Sequence, residues 1–256
     1  DGPMALVWLL ANQYQFRCPN ISAFTGANVS TISSIKIRPE GRPFIAIFIA
    51  ITFILFTVTQ WLGFIGLILI VWCAYFFRDP DRVTPIEKGL IISPADGVIQ
   101  TVTDTPPPPE LDMGDAPMYR ISIFMNVFDC HVNRSPIDGK IVKNSYRPGK
   151  FVNASLDKAS EGNERRSLVI KTENDIEIAF VQIAGLIARR IICWTGEGQS
   201  LRTGERYGMI RFGSRVDVYL PKKSQILVIP GQRTTGGETP IAKLGSRQKN
   251  RKGEWR

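Results

Sequence analysis

The sequence predicts a β-rich α+β protein: an antiparallel, barrel- or sandwich-like domain preceded by an N-terminal hydrophobic helical segment that meets a membrane. Three observations carry this. From Pro43 to Phe77 the 256-residue chain holds no charged residue. Beyond Asp79 the apolar residues fall into short runs bounded by Gly, Pro, Asn and Asp, which is the pattern of many short strands. Finally, Gly213-Ser214 interrupts two strand-like segments, Met209-Ile210 and Val216-Asp-Val-Tyr219, with little other turn chemistry nearby.

Residues 1–40 come first. Met4–Ala11 is apolar but too short to span a bilayer, and residues 19–35 are rich in Ser, Thr, Asn and Gly. A loosely ordered or peripheral segment is expected there. Residues 41–78 form the expected hydrophobic membrane hairpin. One crossing needs about 20 apolar residues, so this run is long for one span and short for two. Its most polar part, Thr57-Val-Thr-Gln60, suits a turn. Lys36, Arg38 and Arg42 precede the run, and Arg78 and Arg82 follow it. Cationic flanks at both ends favour a hairpin whose two ends lie on the cytoplasmic side. The plainer alternative is a pair of buried core helices, which rarely run this far without a charge. A cleaved signal is not expected, because the run starts deep in the chain and no small-residue cleavage pattern follows it.

Arg78-Asp-Pro-Asp-Arg82 stops the helix through its proline and charges. The β-rich domain then runs over residues 79–242. Strands are expected at Leu90–Ile92, Gly97–Val102, Tyr119–Met125, Ser167–Thr172 and Ile176–Ile183, with Pro106–Pro109 as a stiff loop between two of them. Leu186–Cys193 suits either helix or strand. Ile226–Ala242 reads as strand, Gly-rich turn, strand. Residues 243–256 are a basic tail, expected to be solvated and disordered from residue 247 onward.

The chain carries 32 Lys+Arg against 23 Asp+Glu, a net charge of +9. Beside a membrane segment, attraction to anionic lipid is a simpler use of that excess than nucleic-acid binding. Cys18, Cys73, Cys130 and Cys193 have no metal or redox spacing, so unpaired thiols in a reducing compartment are expected. With one histidine in the chain, no metal site is expected.

Three blocks carry the candidate chemistry. Alone, Gly213-Ser214 reads as a β-bulge. It also suits a hydroxyl held against the carbonyl of a preceding glycine, which has no Cβ to block attack on the backbone. Ser93-Pro-Ala-Asp96-Gly97 alone reads as a turn. Met125-Asn-Val-Phe-Asp129-Cys-His131-Val-Asn133-Arg134-Ser-Pro136 holds the sole histidine. Its imidazole has the pKa range for proton transfer near neutrality. On a strand, Asp129 and Asn133 would share its side.

Together with Tyr75-Phe-Phe-Arg-Asp-Pro80 and Arg211-Phe-Gly-Ser-Arg215, these blocks resemble the phosphatidylserine decarboxylase family in its short, pyruvoyl-dependent form. The motifs stand in family order behind a membrane segment, and the resemblance runs from Arg42 to Leu220 and on to Ala242. It implies an inactive precursor. The Ser214 hydroxyl would attack the Gly213 carbonyl, the amide would become an ester, and β-elimination would split the chain into residues 1–213 and 214–256. Residue 214 would be left as a covalent pyruvoyl group, which forms a Schiff base with the amine of phosphatidylserine. Loss of CO2 then yields phosphatidylethanolamine.

The resemblance implies a role for Asp96 as the acid of an Asp-His-Ser self-cleavage group. His131 matches the first of two histidines found three apart in longer members, and Arg134 stands at the second position. The base is therefore open between His131 and Asp96, with Asp129 and Arg134 as supporting residues. Implied partners are the phospholipid, the inner leaflet of a bacterial cell membrane at its cytoplasmic face, and the two chains of the cleaved precursor; homo-oligomerisation stays open. Leu244-Gly245-Ser246 looks like the cleavage point of longer members, but a serine in an unstructured tail could not be held for attack. Two other readings stand beside this one. The first is a pyruvoyl decarboxylase acting on a different amine. The second is a non-catalytic, membrane-tethered β-domain that binds a partner through the Gly231–Gly237 turn.

Overall fold

The computed structural model describes residues 36–149, 162–185, 190–211, 214–246, 248, 250 and 251. The expectations for residues 1–35, for the first part of Leu186–Cys193 and for Gly213 fall outside them.

The apolar run folds into two antiparallel helices, α1 (Arg42–Val58) and α2 (Gln60–Phe76). The break falls at Thr59, inside the polar stretch that predicts it. Thr59 is extended (φ −155°, ψ 148°), and its hydroxyl accepts from the Leu62 amide at 3.4 Å, capping α2. Gly63 and Gly66 let the helices meet. A Cβ on either would stand 2.2 Å from Phe56 Cδ1 or 2.4 Å from Thr52 Oγ1. At 1.5 Å per residue each helix is about 25 Å long, a little less than a bilayer's hydrocarbon core. Among the described residues, Pro39–Val58 has the length and mean hydropathy (2.1) to cross a membrane, and Gln60–Phe76 is shorter.

Both ends of the hairpin emerge together. Strands β1 (Lys36–Ile37) and β2 (Arg78–Asp79) pair antiparallel, and the Arg38 amide donates to the Phe77 carbonyl at 2.9 Å. The outer faces are bare: Phe53 is 74%, Trp61 80% and Ile68 68% exposed. Apolar surface left open on this scale marks a membrane or partner contact.

The remaining strands are β3 (Leu90–Ile92), β4 (Gly97–Thr105), β5 (Met118–Met125), β6 (Val132–Arg134), β7 (Gly139–Arg147), β8 (Arg165–Lys171), β9 (Glu177–Ala184), β10 (Ile191–Cys193), β11 (Ser200–Leu201), β12 (Arg206–Ile210), β13 (Ser214–Leu220), β14 (Gln225–Ile226), β15 (Arg233–Thr234) and β16 (Pro240–Lys243). An eight-stranded antiparallel sheet has the order β11-β7-β8-β9-β13-β5-β4-β15. Two three-stranded sheets, β10-β12-β6 and β14-β16-β3, complete the domain. The core lies between them: Ile123 and Met125 of β5, Phe180 of β9 and Val216 and Val218 of β13 share one cluster with Ile91, Tyr207 and Ile241 of the small sheets. Val181 and Tyr219 bury the other face of the large sheet beneath Leu111. Strand β13 is buried along its whole length. The protein is thus β-rich α+β, as its sequence predicts.

Some elements differ from expectation. Strand β7 is half exposed and carries a bulge between Ile141 and Lys143, which breaks the alternation that identifies a strand. The tail is docked as far as it is described, because the small sheet that includes β14 and β16 leaves backbone groups for it to bond. The Leu244 amide donates to Gly89 O at 2.8 Å, and the Arg251 amide to Ile226 O at 3.2 Å. Ser246 is therefore held in place, but its hydroxyl is already bonded to Gln225 Oε1 at 2.8 Å.

Candidate active site

Ser214 opens β13, in register with Met125 of β5 on one side and Ala184 of β9 on the other. Strand alternation puts it on the face that carries Val216 and Val218, toward the core. It is fully buried, and its Oγ has no hydrogen-bond partner among the described residues. An unpaired buried hydroxyl costs about 1–3 kcal/mol, so stability does not explain it.

His131 follows a tight turn. The Asn126 amide donates to Asp129 Oδ2 at 2.9 Å, and the Phe128 amide donates to Asn126 Oδ1 at 2.8 Å. The imidazole Nδ1 lies 2.9 Å from the Asp129 carbonyl oxygen. A carbonyl can only accept, so Nδ1 carries the hydrogen and Nε2 keeps its lone pair. Nε2 is buried without a partner among the described residues. Phe76, the last residue of α2, lies against the ring with centroids 4.3 Å apart. Burial pulls the His131 pKa from 6.5 down to about 4, against an opposing pull from the Asp129 carbonyl and carboxylate. The imidazole is therefore neutral near pH 7.

Two chain segments bring Ser214 and His131 to the same end of the central strands. Met125, the cross-strand neighbour of Ser214, begins the turn that leads to His131. The Ile210 amide, four residues before Ser214, donates to the His131 carbonyl at 3.3 Å.

Asp96 arrives at that end through Gly97, which has φ +155° and passes so close to β5 that a Cβ would stand 2.2 Å from the Phe124 carbonyl oxygen. Only glycine fits there. The Asp96 carboxylate accepts from Arg82 Nη2 at 2.7 Å and from the Gly236 amide at 2.8 Å. Burial raises its pKa, and Arg82 and the Gly236 amide act against that rise. Asp129 holds its own turn, and its carboxylate also takes the Arg233 guanidinium.

The charged end of Arg134 is engaged elsewhere. It donates to Gly204 O at 3.0 Å, Pro80 O at 2.8 Å and Asp79 Oδ1 at 3.3 Å. Arg206 reaches the same Asp79 oxygen at 2.7 Å. This knot ties β6 and β12 to the root of the hairpin. An open cleft of about 600 Å3 lies beside Arg82 and Arg134, lined by Ser200–Glu205 and free of both Ser214 and His131.

Sequence reasoning missed Phe76, Arg82 and Gly236 as parts of the site. Phe76 lies in the Tyr75–Pro80 block, Arg82 was assigned only to stopping a helix, and Gly236 sits in the Gly-rich turn. No local pattern announces that these three converge on His131 and Asp96.

A partnerless hydroxyl, a neutral imidazole with an open lone pair and a carboxyl of raised pKa suit proton transfer in a site shut off from water. A carbonyl group made from residue 214 fits this position. Forming it removes an Oγ that holds no hydrogen bond, so no bond is broken by its loss.

The fold and this site define an enzyme class that works by proton transfer at the root of an apolar hairpin. Comparison with known proteins makes the class specific. The family model for phosphatidylserine decarboxylase matches residues 69–242, which include Asp96, His131 and Ser214. The phosphatidylserine decarboxylase proenzyme of Cereibacter sphaeroides is 58% identical over 214 residues, 84% of this chain and 92% of that protein. The proenzyme of the same name from Ruegeria pomeroyi is 58% identical over 207 residues, 81% of this chain and 94% of that protein. That of Paramagnetospirillum magneticum is 58% identical over 220 residues, 86% and 92% of the two chains. The chain belongs to the phosphatidylserine decarboxylase family.

Proposed function

We propose that this chain is the precursor of a phosphatidylserine decarboxylase that cuts itself between Gly213 and Ser214. One observation carries the reading: a fully buried Ser214 Oγ with no partner opens the central strand at the end where His131 keeps an open Nε2. In maturation, His131 Nε2 takes the proton from Ser214 Oγ as the oxygen attacks the Gly213 carbonyl carbon. The C–N bond breaks and an ester forms. Removal of the Ser214 α-hydrogen then expels the ester oxygen, leaving Gly213 as a carboxylate and residue 214 as a dehydroalanine. Addition of water and loss of ammonia turn residue 214 into a pyruvoyl group. When formed, that group supplies an electrophilic carbonyl that takes up electrons as CO2 leaves. His131 then holds or returns the proton at the reacting carbon, and Asp96, tied by Arg82 and Gly236, steadies the charge nearby.

The apolar hairpin serves this chemistry by location. A diacyl lipid barely leaves the bilayer, and Phe76 joins α2 directly to His131. We assign residues 41–78 to membrane attachment, residues 79–242 to catalysis and residues 243–256 to a basic tail. The site then faces the cytoplasmic leaflet of a bacterial membrane, where basic residues favour the anionic substrate.

The test uses the full chain. Purified protein should run as two pieces on a denaturing gel, the smaller starting at residue 214 with a blocked amino end. It should release CO2 from phosphatidylserine in mixed micelles, and Ser214→Ala should remain a single inactive chain. A native chain that stays whole, or a Ser214→Ala chain that still cuts, overturns the reading.

A further inference from the structure

Arg190 and Arg211 sit side by side just upstream of the proposed cut. The Arg211 amide donates to the Arg190 carbonyl at 3.3 Å, which joins the two backbones. The Arg211 guanidinium carbon lies 5.2 Å from the centre of the Phe44 ring at the start of α1. Phe44 stacks on Phe77 with centroids 5.5 Å apart, at the foot of the hairpin. The Nε of Arg211 is buried and has no hydrogen-bond partner among the described residues. The acid that acts on Arg211 is Glu40, and its carboxylate already accepts from Arg38 at 3.3 Å and from Trp194 Nε1 at 3.0 Å. Three guanidiniums thus share one carboxylate that is committed to two other donors.

Like charges held together without a dedicated counter-ion are unfavourable unless an anion joins them. Planar guanidiniums in a pair suit an anion with several oxygens, above all a phosphate. The order in space also matches. Going inward from the hairpin, Phe44 comes first, then Arg211, then residue 214. In a phosphoglyceride the order is acyl chains, phosphate, then the amine-bearing head group.

We infer that Arg190 and Arg211 bind the phosphate of the lipid head group and so set the depth at which its amine meets residue 214. This rests on the decarboxylase reading and names the group of the substrate that is recognised. The same chemistry would admit inorganic phosphate, and the test separates the two sources.

The full chain is compared with Arg211→Gln, Arg190→Gln and Arg211→Lys. A charge-matched control, Lys140→Gln/Lys223→Gln, reports non-specific loss of membrane attraction. The matured fraction is first measured by mass, and kinetics refer to that fraction. Either Gln variant should raise KM for phosphatidylserine in mixed micelles about tenfold while kcat changes less than about twofold, the pattern of lost ground-state binding. Arg211→Lys should recover part of the loss, and competitive inhibition by inorganic phosphate should weaken in step.

A second measurement needs no turnover. Glycerophosphoserine binding to the uncut Ser214→Ala chain should weaken about tenfold when Arg211→Gln is added. This keeps the inference testable if the chain proves unable to decarboxylate. A KM that moves no more than in the control, with unchanged glycerophosphoserine binding, overturns the inference and leaves the decarboxylase reading standing. If inhibition by inorganic phosphate alone changes, the pair takes a free anion and the lipid assignment is overturned.

Discussion

Phe76 and His131 lie ring to ring, with centroids 4.3 Å apart and planes tilted by 34°. One is the last residue of the apolar hairpin and the other is the sole histidine of the chain. The hairpin therefore does more than present an apolar surface. It closes a wall of the site and keeps water from an imidazole whose Nδ1 is already fixed by the Asp129 carbonyl.

That closure has a pH signature. The His131 pKa is lowered in the folded protein to about 4, from 6.5. The unfolded chain therefore binds the extra proton more readily between those values, and stability rises with pH across that window. The contribution is fully present above pH 6.5 and is lost as pH falls toward 4, by about 3 kcal/mol in total at 1.36 kcal/mol per pH unit. Urea titrations of Ser214→Ala between pH 4 and 7, with and without His131→Gln, check this. Identical slopes with pH in the two proteins would rule it out.

His131→Gln should slow self-cleavage by about 10²- to 10⁴-fold, the usual worth of a positioned base. The variant should stay folded, since Gln can offer an N–H to the Asp129 carbonyl. Appearance of the 214–256 fragment over time reads the rate. A variant that matures at the native rate would shift the base role to Asp96.

Arg134→Met should destabilise the fold by up to about 3 kcal/mol, because it strips Asp79 of one buried partner. Arg206 and Arg38 remain beside Asp79 and limit the loss. Folded Arg134→Met should still cleave. Failure to cleave at full thermal stability would mean that Arg134 acts in the chemistry.

Gly97→Ala should cost more than about 2 kcal/mol, through a backbone at φ +155° and a clash with the Phe124 carbonyl. Since Gly97 sets Asp96 beside β5, cleavage should slow as well. Thermal melts and fragment analysis read both effects, and a neutral outcome would contradict the close packing of β4 on β5.

Trp61, 80% exposed at the tip of the hairpin, should enter the acyl region of anionic vesicles. Brominated lipid chains should quench its fluorescence, and Trp61→Phe should remove most of the signal change. Vesicles that leave Trp61 unquenched would refute membrane insertion.

Much of the architecture was legible in the chain. The apolar run and its polar midpoint foretold two helices broken at Thr59. Strands β5, β8 and β9 follow from β-branched alternation around Ile121, Val169 and Phe180. What stayed hidden depends on contacts far apart in sequence. Arg82 and Gly236 meet at Asp96 across 154 positions, which local patterns do not encode. Strand β7 hid behind exposed polar residues and a bulge. The tail looked loose by composition, yet Arg251 bonds to β14. Arg134 drew notice as a departure at a histidine position, while its partner Asp79 was legible only as part of a helix stop.

Strand β13 is hydrogen-bonded on both flanks, to β9 and to β5, and everything after it is woven onward through β15 and β16 into two further sheets. Severing the polypeptide at the head of this strand would release nothing, since the daughter piece occupies the middle of the ladder. Nor should two separately synthesised halves find one another, because each would lack the scaffold on which the other folds. Synthesis as one continuous polypeptide is thus the route by which a terminal reactive carbonyl can come to lie deep inside a finished interior.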